Sequence, residues 1–481
     1  MPLFPADSLV KNIRIFYKSW QPVIDGTALD IVKSAFRDGT TSFVSARNVD
    51  ITINIDRDFG TFEALSELGR VLLYLKSLAP NSRGIIFNMQ NIESNGPIEQ
   101  LNEGFKDAVL EFIRGSRDVN IWRLGPLEFF DYLVPKDFVN LTRFYFDCYG
   151  DSTVFNTIIR NNAGTLRALY ADYEVDYRID TILYNENRDP IVYPCLESLN
   201  IWADKLNDVS RIESHHLHFP ALKSFCLSVC DSQCYDMFFN NQKASYQSLN
   251  RLELVLVPEY IANAHNSFAL SAKQLVNVRT MILEIKYFLD NAYYSNPSES
   301  DQANARFISM LASIPTALSH LRICGVIAED PFIDPVTNRC RLESLQNLEI
   351  PNIVLGFGSI ITLIRKMPLL VTFNSRIRDE YPSIQGVASE SLVQYVKANF
   401  YCLGRYITSI SLIMTNGDSG SLANYYMAIA LLVIVCPRLA SILKYGSLFC
   451  QFKTELLKIS QTDEFSKFSD HLELLARNIA A

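Results

Sequence analysis

The sequence predicts an α/β solenoid, in which short parallel strands stack side by side and helices or loops carry the chain from each strand to the next. Three observations lead there. A short unit recurs along the chain, reading apolar, two variable, apolar, one variable, apolar. Proline stands two residues before several copies of it. Stretches with apolar residues at three- and four-residue spacing fall between the copies.

The unit reads Leu141-x-x-Phe144-x-Phe146, Leu166-x-x-Leu169-x-Ala171, Leu196-x-x-Leu199-x-Ile201, Leu222-x-x-Phe225-x-Leu227 and Leu249-x-x-Leu252-x-Leu254. It continues as Val278-x-x-Met281-x-Leu283, Leu318-x-x-Leu321-x-Ile323, Leu345-x-x-Leu348-x-Ile350 and Ile407-x-x-Ile410-x-Leu412. Weaker copies begin at Val10, Ala46, Ser82, Asp118, Leu370 and Leu439. Alone the unit is a weak signal, because chance gives roughly 18 matches if about a third of residues can serve as an anchor. The prolines strengthen it. Pro80, Pro194, Pro220, Pro368 and Pro437 each precede a start by two residues. Proline accounts for 19 of 481 residues, so about 0.6 would fall there by chance. Proline cannot continue a helix, so it ends one just before a strand.

Helices are predicted over Phe62–Leu78, Gly104–Ile113, Ala303–Ala312, Ile360–Met367 and Leu422–Val435, between strands. Strand, loop, helix, loop at roughly 31 residues per unit forces neighbouring strands to run parallel. Stacked units of this kind curve into a horseshoe, with strands on the concave side and helices on the convex side. The solenoid is expected over residues 1–446. The tail Gln451–Ala481 carries Leu456, Leu457, Phe465, Phe468, Leu472, Leu474 and Leu475, so residues 447–481 are expected to form a helical cap over the exposed core end. Four connections exceed plain turns: Tyr173–Tyr193, Tyr287–Asn304, Ile327–Arg341 and Ser375–Ser391.

Tandem units with proline-terminated helices resemble the leucine-rich repeats of ribonuclease-inhibitor-like proteins. Phrases such as Phe219-Pro-Ala-Leu-Lys-Ser-Phe-Cys-Leu227 and Tyr193-Pro-Cys-Leu-Glu-Ser-Leu-Asn-Ile201 are similar to the irregular repeats of fungal F-box/leucine-rich-repeat-type proteins. The likeness spans most of the chain. It implies a non-enzymatic protein-binding scaffold and a role as the substrate-recognition subunit of a ubiquitin ligase. The implied partners are a Skp1-like adaptor and a ubiquitination substrate. Two features depart from that pattern. The Asn that usually follows the strand is missing from nearly every unit, and no F-box with its Leu-Pro opening is evident before the first repeat.

Composition excludes several classes. Hydrophobic residues make up 48% and charged residues 20%, too apolar for a disordered chain. The net charge of −8 repels phosphates, which argues against nucleic acid as the ligand. The longest apolar run, Met427–Cys436, is too short for a membrane span and reads as a buried helix. The opening residues lack the basic and long apolar regions of a secretory signal, so the expectation is a cytoplasmic or nuclear protein with its 10 cysteines reduced. The oligomeric state is not legible.

Three constellations suggest chemistry. Gly417-Asp418-Ser419-Gly420 is similar to the nucleophile segment of serine hydrolases, the alternative reading of the chain. A serine nucleophile needs an oriented His base, and none of the 6 His residues sits in a triad context. The segment also follows a strand and opens an apolar helix, where Gly, Asp and Ser suit a turn and an N-cap. Cys226, Cys230 and Cys234, with His215, His216 and His218 upstream, lack a second matched pair of zinc ligands, so no metal is expected. Gly356-Phe-Gly358 lacks the third glycine of a dinucleotide fingerprint, and no phosphate-binding loop occurs, so no cofactor is expected.

The variable positions of the unit are the stronger candidates, because side chains alternate along a strand and these point away from the core. They read Tyr145, Tyr170, Asn200, Cys226, Glu253, Ile282, Arg322, Glu349, Asn374 and Ser411 in the middle position. After the last anchor come Asp147, Asp172, Trp202, Ser228, Val255 and Glu284. Tyr145, Tyr170, Asn200 and Trp202, beside Asp147, Asp172, Arg143 and Arg167, are thus expected to cluster on three neighbouring strands. Aromatic residues and Arg dominate protein-interface hot spots, which makes these eight the candidate protein-binding residues.

Overall fold

The structure, a computed structural model, describes residues 12–17, 25–35, 48–54, 62–80, 84–90, 104, 107–108, 110–111, 114, 117–122, 134–148, 153–173, 180–185, 187, 189–203, 219–229, 238, 246–256, 275–285, 318–325, 342–378, 381–414, 419–443 and 449–478. They fall into two compact units, Met1–Ser248 and Leu249–Ala481.

The first unit holds strands β1 (Asn12–Tyr17), β2 (Asn48–Asn54), β3 (Gly84–Gln90), β4 (Asp118–Trp122), β5 (Arg143–Cys148), β6 (Ala168–Tyr173), β7 (Ser198–Ala203) and β8 (Ser224–Val229). Each pairs with the next in sequence, and every pair is parallel. Its helices are α1 (Ala28–Ala35), α2 (Phe62–Leu78), α3 (Thr153–Asn161) and α4 (Asp180–Leu183). The second unit holds β9 (Arg251–Leu256), β10 (Thr280–Ile285), β11 (His320–Cys324), β12 (Asn347–Leu355), β13 (Thr372–Ile377), β14 (Ser409–Met414) and β15 (Ser441–Leu443), again parallel and in sequence order. Its helices are α5 (Phe357–Lys366), α6 (Leu392–Phe400), α7 (Ser419–Val435), α8 (Phe449–Ser460) and α9 (Ser469–Asn478). The fold is the α/β, leucine-rich-repeat-like solenoid expected from the sequence.

The apolar unit works as the alternation of a strand requires. Phe144 and Phe146, Leu169 and Ala171, Leu199 and Ile201, and Phe225 and Leu227 are all buried on one face of β5–β8. Helix α3 packs on the β5 part of that face, with Phe155 stacked on Phe146 at 4.8 Å between ring centroids. Each buried side chain of this size contributes about 1.5–3 kcal/mol. Among the described residues, fourteen of the fifteen strands begin two residues after a predicted unit start. The exception is β4. Val119 and Ile121 stand in register with Phe144 and Phe146, so they take the anchor positions. Asp118 is not an anchor and stands in register with Arg143 on the open face.

The strand entries share a backbone device. At several entries the carbonyl before one strand accepts two N–H groups of the next unit. Thr142 O takes Arg167 N–H at 2.7 Å and Ala168 N–H at 3.1 Å, and Arg167 O takes Glu197 N–H at 2.8 Å and Ser198 N–H at 2.9 Å. In the second unit, Ser319 O takes Gln346 N–H at 2.8 Å and Asn347 N–H at 3.0 Å. This leaves no slack for a slip of one residue, which would turn the anchors to the other face.

The prolines have two roles. Pro368 and Pro437 stand two residues after the last residue of α5 and α7, where the helices have ended, as expected. Pro194 and Pro220 instead occupy the second position of a turn, a place that suits the fixed φ of proline. Leu196 N–H donates to Tyr193 O at 3.4 Å, and Leu222 N–H to Phe219 O at 3.2 Å. A polar staple locks the entry to β5. Buried Asn162 accepts from Leu141 N–H at 3.0 Å and donates to Phe138 O at 3.0 Å and Ile158 O at 2.8 Å.

Helix α2 matches its predicted span. The other boundaries moved by a few residues: the helix predicted over Ile360–Met367 runs as α5, that over Leu422–Val435 as α7, and the unit that starts at Ile407 carries β14. Of Gly104–Ile113 only Gly104, Asp107, Ala108, Leu110 and Glu111 are described, all helical. Ala303–Ala312, Tyr287–Asn304 and Ile327–Arg341 lie outside the described residues. The Tyr173–Tyr193 insertion is not a plain loop: it contains α4 and an antiparallel bridge between Tyr184 and Pro190. Tyr193 anchors it, its buried hydroxyl donating to Ile182 O and its pKa driven up by burial. Ser375–Ser391 includes the end of β13 and a short 3-10 turn at Ser389–Ser391.

The apolar run Met427–Cys436 lies within α7 and the residue after it, and is buried from Ala428 onward. Among the described residues no helix is long and apolar enough to cross a membrane. The loop after α6 seals the end of α7: Cys402 N–H donates to Ile434 O at 3.3 Å and Gly404 N–H to Val435 O at 2.9 Å. Such contacts satisfy carbonyls that a helix end otherwise leaves open. Helices α8 and α9 pack on each other and on α7, and α9 also meets β15.

Candidate protein-binding face

Alternate positions of β4–β8 belong to the face opposite the core. Their rows are fixed by register. The first runs Asp118, Arg143, Ala168, Ser198, Ser224; the second Asn120, Tyr145, Tyr170, Asn200, Cys226; and the third, beginning on β5, Asp147, Asp172, Trp202, Ser228. Six of the eight candidate residues therefore come together by their side chains: Arg143, Tyr145, Tyr170, Asp172, Asn200 and Trp202. Asp147 shares the third row by its backbone, and its side chain lies outside the described residues. Arg167 does not join them. It precedes β6 and its guanidinium lies 3.6 Å from Glu197, with Lys223 2.8 Å from the same carboxylate, in an exposed ladder at the strand entries. That Lys223 contact holds the Glu197 carboxyl below its usual range.

Aromatic surface dominates the middle of the face. Tyr145 and Tyr170 stack at 6.1 Å with 24° between the rings. The Tyr170 hydroxyl donates to Asp172 Oδ2 at 3.5 Å. The Asn200 carbonyl oxygen is buried and has no hydrogen-bond partner. Arg143 lies 3.7 Å from Asp118. Burial raises the Asp118 pKa, with Arg143 pulling the other way. Burial likewise raises the Tyr145 hydroxyl, against Arg143 and reinforced by Asp118. Counting Asp118 among the anchors hid it from the candidate set; the alternation through Val119 and Ile121 is the signal that finds it.

The second unit presents a different face. Its middle row reads Glu253, Ile282, Arg322, Glu349, Asn374 and Ser411, without an aromatic side chain. Its charges pair among themselves. Arg251 meets Glu253 at 3.0 Å, and Glu349 lies 3.6 Å from Arg322 and 3.5 Å from His320.

The other constellations fare as follows. Ser419 is the first residue of α7, while Gly417 and Asp418 lie outside the described residues. The two described histidines are occupied elsewhere, His320 beside Glu349 and His471 Nε2 2.7 Å from Leu439 O. Among the described residues no three His, Cys, Asp or Glu side chains are grouped to hold a metal. Cys226 is buried in β8; Cys230, Cys234, His215, His216 and His218 lie outside the described residues. Gly356 precedes α5 and Gly358 lies in its first turn.

No protein-family model matches the chain, and no curated protein matches it. Among solved structures, it is similar to a chain of the crystal structure of the Rad7 and Elc1 complex in yeast, at 11% identity and a TM-score of 0.31, over 85% of this chain and 79% of that one. The fold assignment rests on strand order and register rather than on that likeness.

Proposed function

We propose that this chain is a non-enzymatic protein-interaction scaffold and that the open face of β5–β7 is its contact surface. The observation that carries the reading is the Tyr145–Tyr170 stack, held by strand register beside Asp172, Asn200 and Trp202. Parallel strands fix such side chains at intervals of about 4.8 Å. A face ordered before binding loses less entropy on association. Aromatic groups rimmed by charge are the usual composition of an interface hot spot.

The resemblance of the repeats to F-box/leucine-rich-repeat-type proteins supports a finer reading: a substrate-recognition subunit of a ubiquitin ligase, in the cytoplasm or nucleus, working with a Skp1-like adaptor. Affinity purification of the tagged full-length chain tests both levels. Recovery of a partner by wild type, and its loss with Tyr170→Ala plus Trp202→Ala at unchanged thermal stability, is the expected result. Undiminished recovery by the double variant would remove this face from the account. Absence of a Skp1-like adaptor from the wild-type eluate would remove the ligase reading alone. A serine-reactive fluorophosphonate should leave the chain unlabelled, and labelling lost in Ser419→Ala would overturn the non-enzymatic reading.

A further inference from the structure

We propose that the second unit carries a separate docking surface, at the strand-entry turns of β13–β15, for an acidic segment of a protein partner. The proposal goes beyond the scaffold reading and does not depend on the open face of β5–β7.

Backbone geometry builds the surface. Three turns close in the same way: Leu370 N–H donates to Met367 O at 3.1 Å, Ile407 N–H to Gly404 O at 3.0 Å, and Leu439 N–H to Cys436 O at 3.0 Å. Met367, Gly404 and Cys436 each stand five residues before the first residue of their strand. Those strands are paired in register from Thr372, Ser409 and Ser441. The turns therefore repeat at the strand spacing, about 4.8 Å. The outer residues of each turn are buried, which leaves the central pairs Pro368–Leu369, Arg405–Tyr406 and Pro437–Arg438 to form the rim.

Charge sets the sign of the partner. Exposed Arg405 and Arg438 occupy adjacent turns, and exposed Arg365 and Lys366 end α5 just before the first turn. None of the four makes an ion pair among the described residues. The nearest acids by position are Glu343, in the equivalent turn before β12, and Asp470, whose neighbour His471 lies against Leu439 O. The edge is thus cationic in a chain whose net charge is −8. Arg365 and Lys366 suit the C-terminal end of α5, where the helix dipole favours a cation. Arg438 has no such task, because Cys402 and Gly404 N–H already cover Ile434 O and Val435 O at the end of α7. Arg405 lies over its own neighbour, 4.9 Å from the centre of the Tyr406 ring.

Apolar surface runs beside the charges. Leu369 and Tyr406 are 42% and 37% exposed and hold the same turn position as Arg438. A peptide with acidic and apolar side chains satisfies both features. A sugar–phosphate backbone has no use for Leu369, and the net charge of the chain repels long polyanions. Arginine and aromatic side chains are also the groups enriched at protein interfaces.

Fluorescence anisotropy at low salt tests the proposal, with the full-length chain and a dansyl-labelled peptide, Gly-Asp-Leu-Asp-Asp-Leu-Asp-Gly, against its counterpart with Asn for every Asp. The acidic peptide should bind, and its affinity should fall as salt rises. The Asn peptide should bind at least about tenfold more weakly. Arg405→Glu plus Arg438→Glu should weaken the acidic peptide by a similar factor. Arg114→Glu plus Lys136→Glu, the same change of charge at exposed sites of the first unit, should leave it unchanged. Arg405→Gln plus Arg438→Gln guards against misfolding of the reversed variant and should weaken it as well. Equal binding of the two peptides would overturn the proposal, as would indifference to both turn variants or an equal loss in the first-unit variant. Tighter binding of an oligothymidylate matched in charge, lost in the same turn variants, would assign the edge to nucleic acid and overturn it too. Capture of a partner through Tyr170 and Trp202 reads the other face, so the scaffold reading survives either result.

Discussion

Replacing Asn162 with Ala should be among the most damaging polar substitutions in the first unit. The side chain bridges three backbone groups, accepting from Leu141 N–H and donating to Phe138 O and Ile158 O. Leu141 and Phe138 are buried, so water does not readily replace the lost partner. Ile158 O keeps the N–H of residue 162, 3.2 Å away, and is spared. Two buried polar groups are left unpaired, each costing about 1–3 kcal/mol, which gives an expected loss of about 2–6 kcal/mol. Asn162→Asp keeps the acceptor but turns the donor into a second acceptor facing Phe138 O, so it should not rescue. Asn161→Ala, one residue away and exposed, is the control and should cost under about 0.5 kcal/mol. Urea unfolding followed by circular dichroism measures the loss, and amide hydrogen exchange locates it. Faster exchange should concentrate at Leu141 and the first residues of β5. A loss no larger than that of Asn161→Ala, or exchange unchanged at Leu141, would refute the staple.

Three further outcomes follow from the packing. Gly404→Ala should destabilise the second unit by about 1–3 kcal/mol in thermal unfolding, because a Cβ there falls 2.6 Å from Cys436 Sγ and 2.9 Å from Ile407 Cδ1; an unaltered melting temperature would contradict that close approach. Asp118→Asn addresses pH. Burial raises the folded-state pKa of Asp118 above its unfolded value, so the folded chain holds this proton more tightly and stability is lost as pH rises through the folded pKa. The variant should therefore gain on wild type between about pH 3 and pH 7, and a gap that shrinks over that range would show the opposite shift. Under native conditions a thiol reagent should modify exposed Cys195 and spare buried Cys226 and Cys436, the last with its pKa raised by burial; mass spectrometry of the labelled chain reads the pattern.

The strands were legible because each carries its signal locally. Two inward anchors with one residue between them suffice to name a buried face, as at Phe144 and Phe146. The failure at β4 has the same origin: with Ser116 where an apolar start is usual, the frame slid two residues and made an anchor of Asp118. Helix α2 was legible from its apolar spacing, and the Tyr145–Tyr170 neighbourhood from the alternation of strands whose register was already implied. Interactions between distant segments were not legible. Asn162 reads as the polar end of a helix, and nothing nearby reveals that Phe138 and Leu141 will need its amide. Arg167 looked like a member of the face because it is close in sequence, but it lies before β6, where the chain is still in the strand-entry row and Glu197 is within reach. The register shift of β12 between Ile350 and Val354 is marked in the sequence by Pro351, which cannot donate to a ladder. Its consequence for pairing needs the neighbouring strand to be known.

The parallel, in-register stack is tested most directly by engineered disulfides. Ser198 and Ser224 are partners in register on β7 and β8, and Cα atoms about 4.8 Å apart lie within the range a disulfide spans. The double variant Ser198→Cys plus Ser224→Cys should close nearly completely under mild oxidation. Ser198→Cys plus Ser228→Cys, four residues further along the strand, should stay open. Closure of the second pair in preference to the first, or of neither, would contradict the stack and the binding face built on it.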